Sequence, residues 1–502
     1  MQRLPLALSL VLGALAFLSP AREVPSLVRT FVGAALVLGA WNLLLLRSAR
    51  RRGRTLTSEI VLRKQHYLQA CAQASVLLYW GWYWSEVYHS AHLILAQLLF
   101  AYTFDMLLGW SRRDIYTLGF GPVPVIFSIN LFLWFKPDWF YFQFLLVALG
   151  FAAKDLIRWE KDGRRVHIFN PSSFPLAIFG IALILTGTSD LTWGQEIAST
   201  QSYPPHMYLT LFLLGLPGQF FFGVATMTFA AVVTTYAFGL AYYAATGIYF
   251  FYDSYIPIAV FLGMHLLFTD PSTSPRTDLG RLIFGALYGL STIVLYQLLG
   301  TMGLPTFFDK LLQVPILNLS IKLIDRLARS RPLRALDPAA ILPSLTRVRL
   351  HLAYMAVWAI VFGGMSVVQG VGDDHPGQWL PFWQQACANE RPYACRYLED
   401  VQAGMCDRGS GWACNELGIG LARRESDLAG AATSMARGCA VGFTPACVNA
   451  KLVAAGGHVQ SAPPTLDDYP IILRGSKGPV TDRTPAALHA LACRQGWPDS
   501  CL

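Results

Sequence analysis

The chain has 502 residues, 54% of them hydrophobic and only 14% charged, with a formal net charge of +9. This is a membrane composition, and it excludes a disordered, solvated chain. The positive excess needs no nucleic acid: 13 Asp+Glu face 11 Lys+Arg from Val371 on, so that part carries −2 and the part before it +11, placed in short loops beside apolar runs.

In chain order, Leu4–Leu18 is a short apolar run read as a span rather than a cleaved signal, because Pro20-Ala21 is a poor cleavage site. Leu27–Leu46 is a second span, closed by RSARRRGR, whose five arginines put that end in the cytoplasm. Further spans are expected near 68–86, 91–110, 116–135, 139–157, 173–188, 206–222, 225–250, 255–269, 281–299, 311–326 and 348–370. Together these predict an all-α, polytopic transmembrane helix bundle of about 12–13 spans, bilayer lipid being its first partner. Alternation then places SRRD (111–114), the basic segment 154–171, the TDPSTSPR loop and 326–334 on the cytoplasmic side, where most loop arginines and lysines fall. Everything after Val371 is expected outside the cytoplasm.

The TDPSTSPR loop separates two long apolar runs. Pro271 and Pro275 forbid a helix through it. Asp270, Ser272, Thr273, Ser274 and Thr277 offer acceptors and hydroxyls to backbone or ligand. Asp278 is read as the N-cap of the next helix. Upstream, Asn170-Pro171 followed by Ser172-Ser173 looks like a broken-helix start capped by Asn170.

The tail repeats. Cys387 with Cys395, Cys406 with Cys414, Cys439 with Cys447 and Cys493 with Cys501 are four Cys-x7-Cys pairs. Gly409, Gly442 and Gly496, with Pro392 in the first unit, break a helix between the cysteines. Such a turn brings the paired Cα atoms to the ~5.5 Å a disulfide needs. No CxxC or nearby His pair supports zinc, so no metal is expected. A 33-residue period between the second and third pairs fits a helix–turn–helix repeat. The tail resembles cysteine-rich Sel1-like repeats, which implies a small disulfide-stapled α-helical domain that binds a protein partner.

TDPSTSPRTDLGRLIFGALYG closely resembles the TDP…SP…G…IFG signature of the RnfD/NqrB family, the membrane subunits of ion-coupled electron-transport complexes. HIFNPSSF (167–174) resembles the family's FNPA box, DMLLGWSRRD (105–114) its acidic helix and basic turn, and 302–331 its closing segment. The chain looks most like the divergent UnbU-type branch found beside enediyne-biosynthesis genes. The resemblance implies inverted five-helix repeats, a multi-pass protein of the bacterial inner membrane with a periplasmic tail, and other electron-transport subunits as partners. It implies a flavin- or quinone-associated electron-transfer subunit, more a redox component than an enzyme in its own right. The cofactor-binding residues it points to are Lys154, His167, Asn170, Ser172, Asp270, Ser272, Thr273, Ser274 and Thr277.

The family's covalent flavin mononucleotide (FMN) attachment motif, S-G-A-T, is not found; Ile197–Thr200 is the nearest match and has no glycine. The expected cofactor is therefore noncovalent FMN or riboflavin, or a quinone. Two other readings stand beside it: a transporter or conduit, and a membrane-anchored interaction scaffold. The expected domains are 1–59, a two-span extension; 60–331, the RnfD/NqrB-like part; 332–371, a basic linker and last span; and 372–502, the repeats.

Overall fold

The computed structural model describes residues 2–161, 163–368, 371–423, 427–474 and 480–501. It divides into two compact units, residues 1–235 with 258–364, and 236–257 with 365–502. The fold is mostly helical. Five helices are long and apolar enough to cross a membrane: Pro25–Arg51, Ala91–Arg112, Ala225–Thr246, Asp278–Thr301 and Arg347–Val367. Leu4–Phe17, Ser173–Thr186 and Met207–Phe222 are apolar but shorter. Gly370, where the sequence reading ends the last span, lies outside the described residues.

The first unit is not purely helical. Thr57–Ile60 and Ile115–Leu118 pair in parallel, Thr57 opposite Ile115. Arg158–Lys161 and Arg164–His167 pair antiparallel, with φ 71° at Gly163 in the turn. The all-α expectation is corrected by these short strands, whose alternation is too brief to read from sequence.

Two expected spans are also broken. Instead of one helix over 116–135, the chain forms a strand, then the helix Pro122–Asn130 of 9 residues, then an extended stretch. Gly119, Gly121 and Pro122 set this start, since proline is favoured in a first helical turn and glycine relaxes the bend before it. The expected span 255–269 shrinks to the helix Ile258–Leu266, also 9 residues and buried throughout. Nine residues span only about 14 Å.

The irregular stretch 131–135, a turn followed by extended chain, is buried, so its backbone groups need partners. Side chains that are themselves buried supply them. Gln143 Oε1 accepts from the Phe135 N–H at 3.0 Å, and Gln201 Nε2 donates to the Leu131 carbonyl at 2.6 Å. Gln143 is held in turn by Gln97, which exchanges two hydrogen bonds with Asn130 at 2.9 Å. Trp193 N–H donates to the Trp134 carbonyl at 2.9 Å.

The second unit is an array of short helices, among them Leu380–Ala388, Ala394–Asp407, Gly411–Arg423, Leu428–Ala440, Thr444–Ala454 and Pro485–Arg494. All four Cys-x7-Cys pairs are disulfides. Cys387 bonds Cys395, Cys406 bonds Cys414 and Cys439 bonds Cys447, each with a Cα–Cα distance of 4.6 Å. Cys493 bonds Cys501 at 4.8 Å. These distances are shorter than the spacing argument expected, because each bridge closes a single tight turn. The bridges also differ in surroundings. Cys406 and Cys414 are buried, Cys395 and Cys447 are half-buried in the first turns of their helices, and Cys501 is exposed beyond the last helical turn.

Gly409, Gly442 and Gly496 take φ of 97°, 94° and 89° between the bonded cysteines. In the first pair the left-handed positions are Glu390 and Tyr393, not Pro392. Trp383, Leu398, Trp412, Phe443, Ala446 and Leu488 form the core, and Ile248 belongs to it. The sequence divided the chain near residue 371 and missed that 236–257 joins this unit, because that segment reads as the continuation of an apolar run. Asn449 donates to Asn415 Oδ1 at 2.8 Å, linking the helices Gly411–Arg423 and Thr444–Ala454.

Peptide mapping without reduction should return the four linked pairs and Cys71 as the free thiol. Replacing the buried pair Cys406–Cys414 by serines should cost about 2–3 kcal/mol of tail stability by the loop-entropy estimate. Limited proteolysis of the full chain reads this as faster cleavage within 380–460.

Candidate functional site

Two proline-broken loops of the first unit meet at a cleft of about 550 Å³. The first is Phe169–Ser173, leading into the helix Ser173–Thr186. Asn170 Oδ1 accepts from the Ser172 N–H at 3.0 Å, the Ser172 hydroxyl at 2.7 Å and the Ser173 N–H at 3.1 Å. Asn170 therefore caps the helix, as its position before Pro171 suggested. A Cβ at Gly150 would overlap the Pro171 carbonyl, so only glycine lets the helix Tyr141–Leu156 approach this loop so closely.

The second loop is Phe268–Thr277. Asp270 Oδ1 accepts from the Ser272 N–H at 2.9 Å, and the Thr273 hydroxyl donates to Oδ2 at 3.3 Å. Ser274 Oγ donates to the Pro271 carbonyl at 3.1 Å. The Asp278–Thr301 helix is capped by Thr277, not Asp278: Thr277 Oγ1 accepts from the Gly280 N–H at 3.0 Å. Asp278 instead accepts from Arg281 and Arg347, each at 3.1 Å, and from the Tyr354 hydroxyl at 3.0 Å. A carboxylate buried to 1% exposure requires this much compensation.

Three contacts join the loops and the residues that flank them. His167 Nε2 lies 3.1 Å from Asp270 Oδ2. Asn170 Nδ2 donates to the Leu267 carbonyl at 2.9 Å. Asn318, on the helix Val314–Ala328, spans both: its Oδ1 accepts from the Asn170 N–H at 3.1 Å, and its Nδ2 donates to the Thr273 carbonyl at 3.3 Å. The Arg158–Lys161/Arg164–His167 hairpin is pinned beside them, because buried Lys161 donates to the Ser274 carbonyl at 2.8 Å and lies 3.9 Å from Asp325. Burial would push the Asp270 carboxyl up. The His167 hydrogen bond and charge, with the Ser272 and Thr273 donors, outweigh it and hold the carboxyl below its ordinary value.

Of the expected site residues, Lys154, His167, Asn170, Ser172, Asp270 and Ser272 line the cleft. Thr273, Ser274 and Thr277 do not: they bond loop or helix backbone. The cleft also takes in Arg63, His66, Gln69, Asp105, Arg113, Arg158 and Arg165. Most of these were overlooked because loop arginines beside spans read as membrane-side anchors. Asp105 accepts from the Tyr116 hydroxyl at 2.8 Å. Asp155 draws Arg112 to 3.0 Å, Arg113 to 2.6 Å and Arg158 to 3.7 Å. Asn318 lies in the closing segment 302–331, but nothing local marks it among the polar residues there.

Ser199 and Thr200, nearest to a flavin attachment motif, lie apart from the cleft. Thr200 is buried, and its Oγ1 accepts from Trp80 Nε1 at 3.1 Å. Ser199 is exposed and bonds the Glu196 carbonyl at 3.1 Å.

Asn318→Ala should cost about 2–4 kcal/mol, since it strands a buried N–H and a buried carbonyl on two loops. Asn318→Asp keeps the acceptor for Asn170 and should recover part of that in a thermal melt. Because the folded-state pKa of Asp270 is depressed, its stabilisation is complete above its unfolded value, about 3.9. It is lost as pH falls through the lower folded value. The melting-temperature advantage of the native chain over Asp270→Asn should therefore shrink below about pH 4; an advantage that grows there would contradict the assignment.

No family model, curated protein or solved structure matches the chain.

Proposed function

We propose that the chain is a redox-linked integral membrane component of the RnfD/NqrB type, of the UnbU-like branch, whose cleft binds a noncovalent flavin or a quinone. The observation that carries this reading is the convergence of the FNPSS and TDPSTSP loops on one cleft. These are the segments in which the sequence most resembles the family, and they lie about 100 residues apart in the chain. The cleft's volume lies in the range of small-molecule sites. Its lining offers donors and acceptors from Asn170, Ser172, His167 and Ser272 beside the apolar faces of Pro122, Val125 and Phe222, a mixture that suits a fused polar ring. A flavin or quinone would supply the electron chemistry; the protein's part is to position it and to exclude water.

In this reading the apolar helices form a multi-pass bundle in a bacterial inner membrane. The two broken nine-residue helices are its discontinuous elements, as inverted-repeat membrane folds use at their sites. They favour a transporter or conduit as the second reading. The Sel1-like unit lies in the periplasm, where disulfides persist. It binds a protein partner there, and that role alone would make the chain a membrane-anchored scaffold.

The purified full chain should show flavin or quinone absorbance bands that bleach on reduction. Denaturation should release the chromophore and leave an unlabelled, non-fluorescent protein band. A colourless preparation that takes up neither flavin nor quinone would refute the redox reading. Asp270→Asn can still accept from the Ser272 N–H but cannot hold an ion pair with His167. Electron-transfer activity should fall at least tenfold with folded protein retained, a change on the scale of ~1.4 kcal/mol or more; full activity would reduce Asp270 to a turn-former.

A further inference from the structure

The cleft carries more positive charge than its own acids neutralise. Asp155 is satisfied by three arginines, and Asp270 faces His167. Asp105 is bonded by the Tyr116 hydroxyl. Exposed Arg63 and Arg165 and half-buried Lys154 line the same wall with no carboxylate in ion-pair reach among the described residues, Glu160 standing opposite Arg165 across the hairpin. Lys154 rests over the Phe151 ring at 5.3 Å. The three cations come from separate elements: Arg63 precedes the helix Lys64–Tyr83, Lys154 lies in the last turn of Tyr141–Leu156, and Arg165 is on the strand Arg164–His167.

All three thus line the one cleft. Burial first, then the Lys154 and Arg63 charges, hold the His66 imidazole below the ordinary histidine value. A Cβ at Gly121 would make ordinary contact with this ring, at 3.5 Å. Converging cations with fork-shaped guanidinium donors suit a tetrahedral oxyanion.

We propose that Arg63, Lys154 and Arg165 form a phosphate-class anion subsite at the mouth of the cleft. The subsite selects phosphorylated ligands over neutral ones. The proposal deepens the redox reading, since it assigns a phosphate-bearing ring compound rather than riboflavin or a quinone, but the anion site itself stands without any redox role. The phosphate can belong to a soluble ester or to a lipid headgroup.

The test is calorimetric titration of the full chain, in neutral detergent, with inorganic phosphate, then FMN and riboflavin. Phosphate should bind, and FMN should bind at least tenfold tighter than riboflavin, the scale of one charge-assisted contact. Arg63→Gln with Arg165→Gln should weaken phosphate by tenfold or more and bring FMN down to riboflavin's affinity, with an unchanged melting temperature. Arg437→Gln, a charge change outside the cleft lining, should leave both unchanged. Phosphate affinity unaltered in the double variant, or no phosphate binding at all, overturns the proposal, even if riboflavin binds and the redox reading survives. Variant-sensitive phosphate binding in a chain that takes up no flavin or quinone supports the anion site while the redox reading fails. Lower phosphate affinity in phosphatidylglycerol than in phosphatidylcholine nanodiscs would identify a lipid headgroup as the natural occupant; equal affinity would identify a soluble ester.

Discussion

Asn318 holds the first unit's centre together. One carboxamide accepts from the backbone of the Asn170 loop and donates to the backbone of the Asp270 loop. Both loops are broken by proline and set among apolar helices, so their internal hydrogen bonds leave backbone groups that need partners from elsewhere. A carboxamide serves where a hydroxyl or an acid would not, because it presents a donor and an acceptor in fixed geometry. With the loops clamped, His167 and Asp270 come within hydrogen-bond reach, and the cleft forms between them.

The same economy recurs in the irregular stretch 131–135. There Gln97, Asn130, Gln143 and Gln201 do for irregular backbone what Asn318 does for the two loops. Amides neutralise the backbone without burying charge. Two buried carboxylates are matched several-fold, Asp278 by two arginines and a tyrosine and Asp155 by three arginines, while buried Asp309 pairs with Lys310. The cleft cations differ: Arg63 and Arg165 are exposed and Lys154 is half-buried, which leaves them open to a ligand from solvent.

The second unit obeys a different constraint. Its helices run 9–14 residues and its core is small, so packing alone leaves little margin. Four disulfides close the turns, and three glycines with positive φ let the turns be tight. Local cross-links and helix-to-helix neighbours suffice because each repeat chiefly touches the next.

Several features were legible in the residues themselves. The long apolar helices follow from run length, and the proline-broken loops from Pro171, Pro271 and Pro275. The four disulfides follow from one repeated spacing, which already paired Cys395, Cys414, Cys447 and Cys501 with the cysteines eight positions before them. Six of the nine expected site residues reach the cleft because loop chemistry of the Asp-Pro and Asn-Pro kind is local. Tertiary structure alone decided the rest. Asn170 and Asn318 are 148 residues apart, and Asp278 turned from an expected cap into an ion-pair centre because Arg347 and Tyr354 pack against it. The strand pairing of 57–60 with 115–118 and the placing of Arg63, Lys154 and Arg165 on one cleft depend likewise on distant partners. Run length, proline and cysteine spacing act within a few residues of chain, where sequence order is distance. The choice of a hydrogen-bond or charge partner acts through space, and only packing determines which distant residues become neighbours.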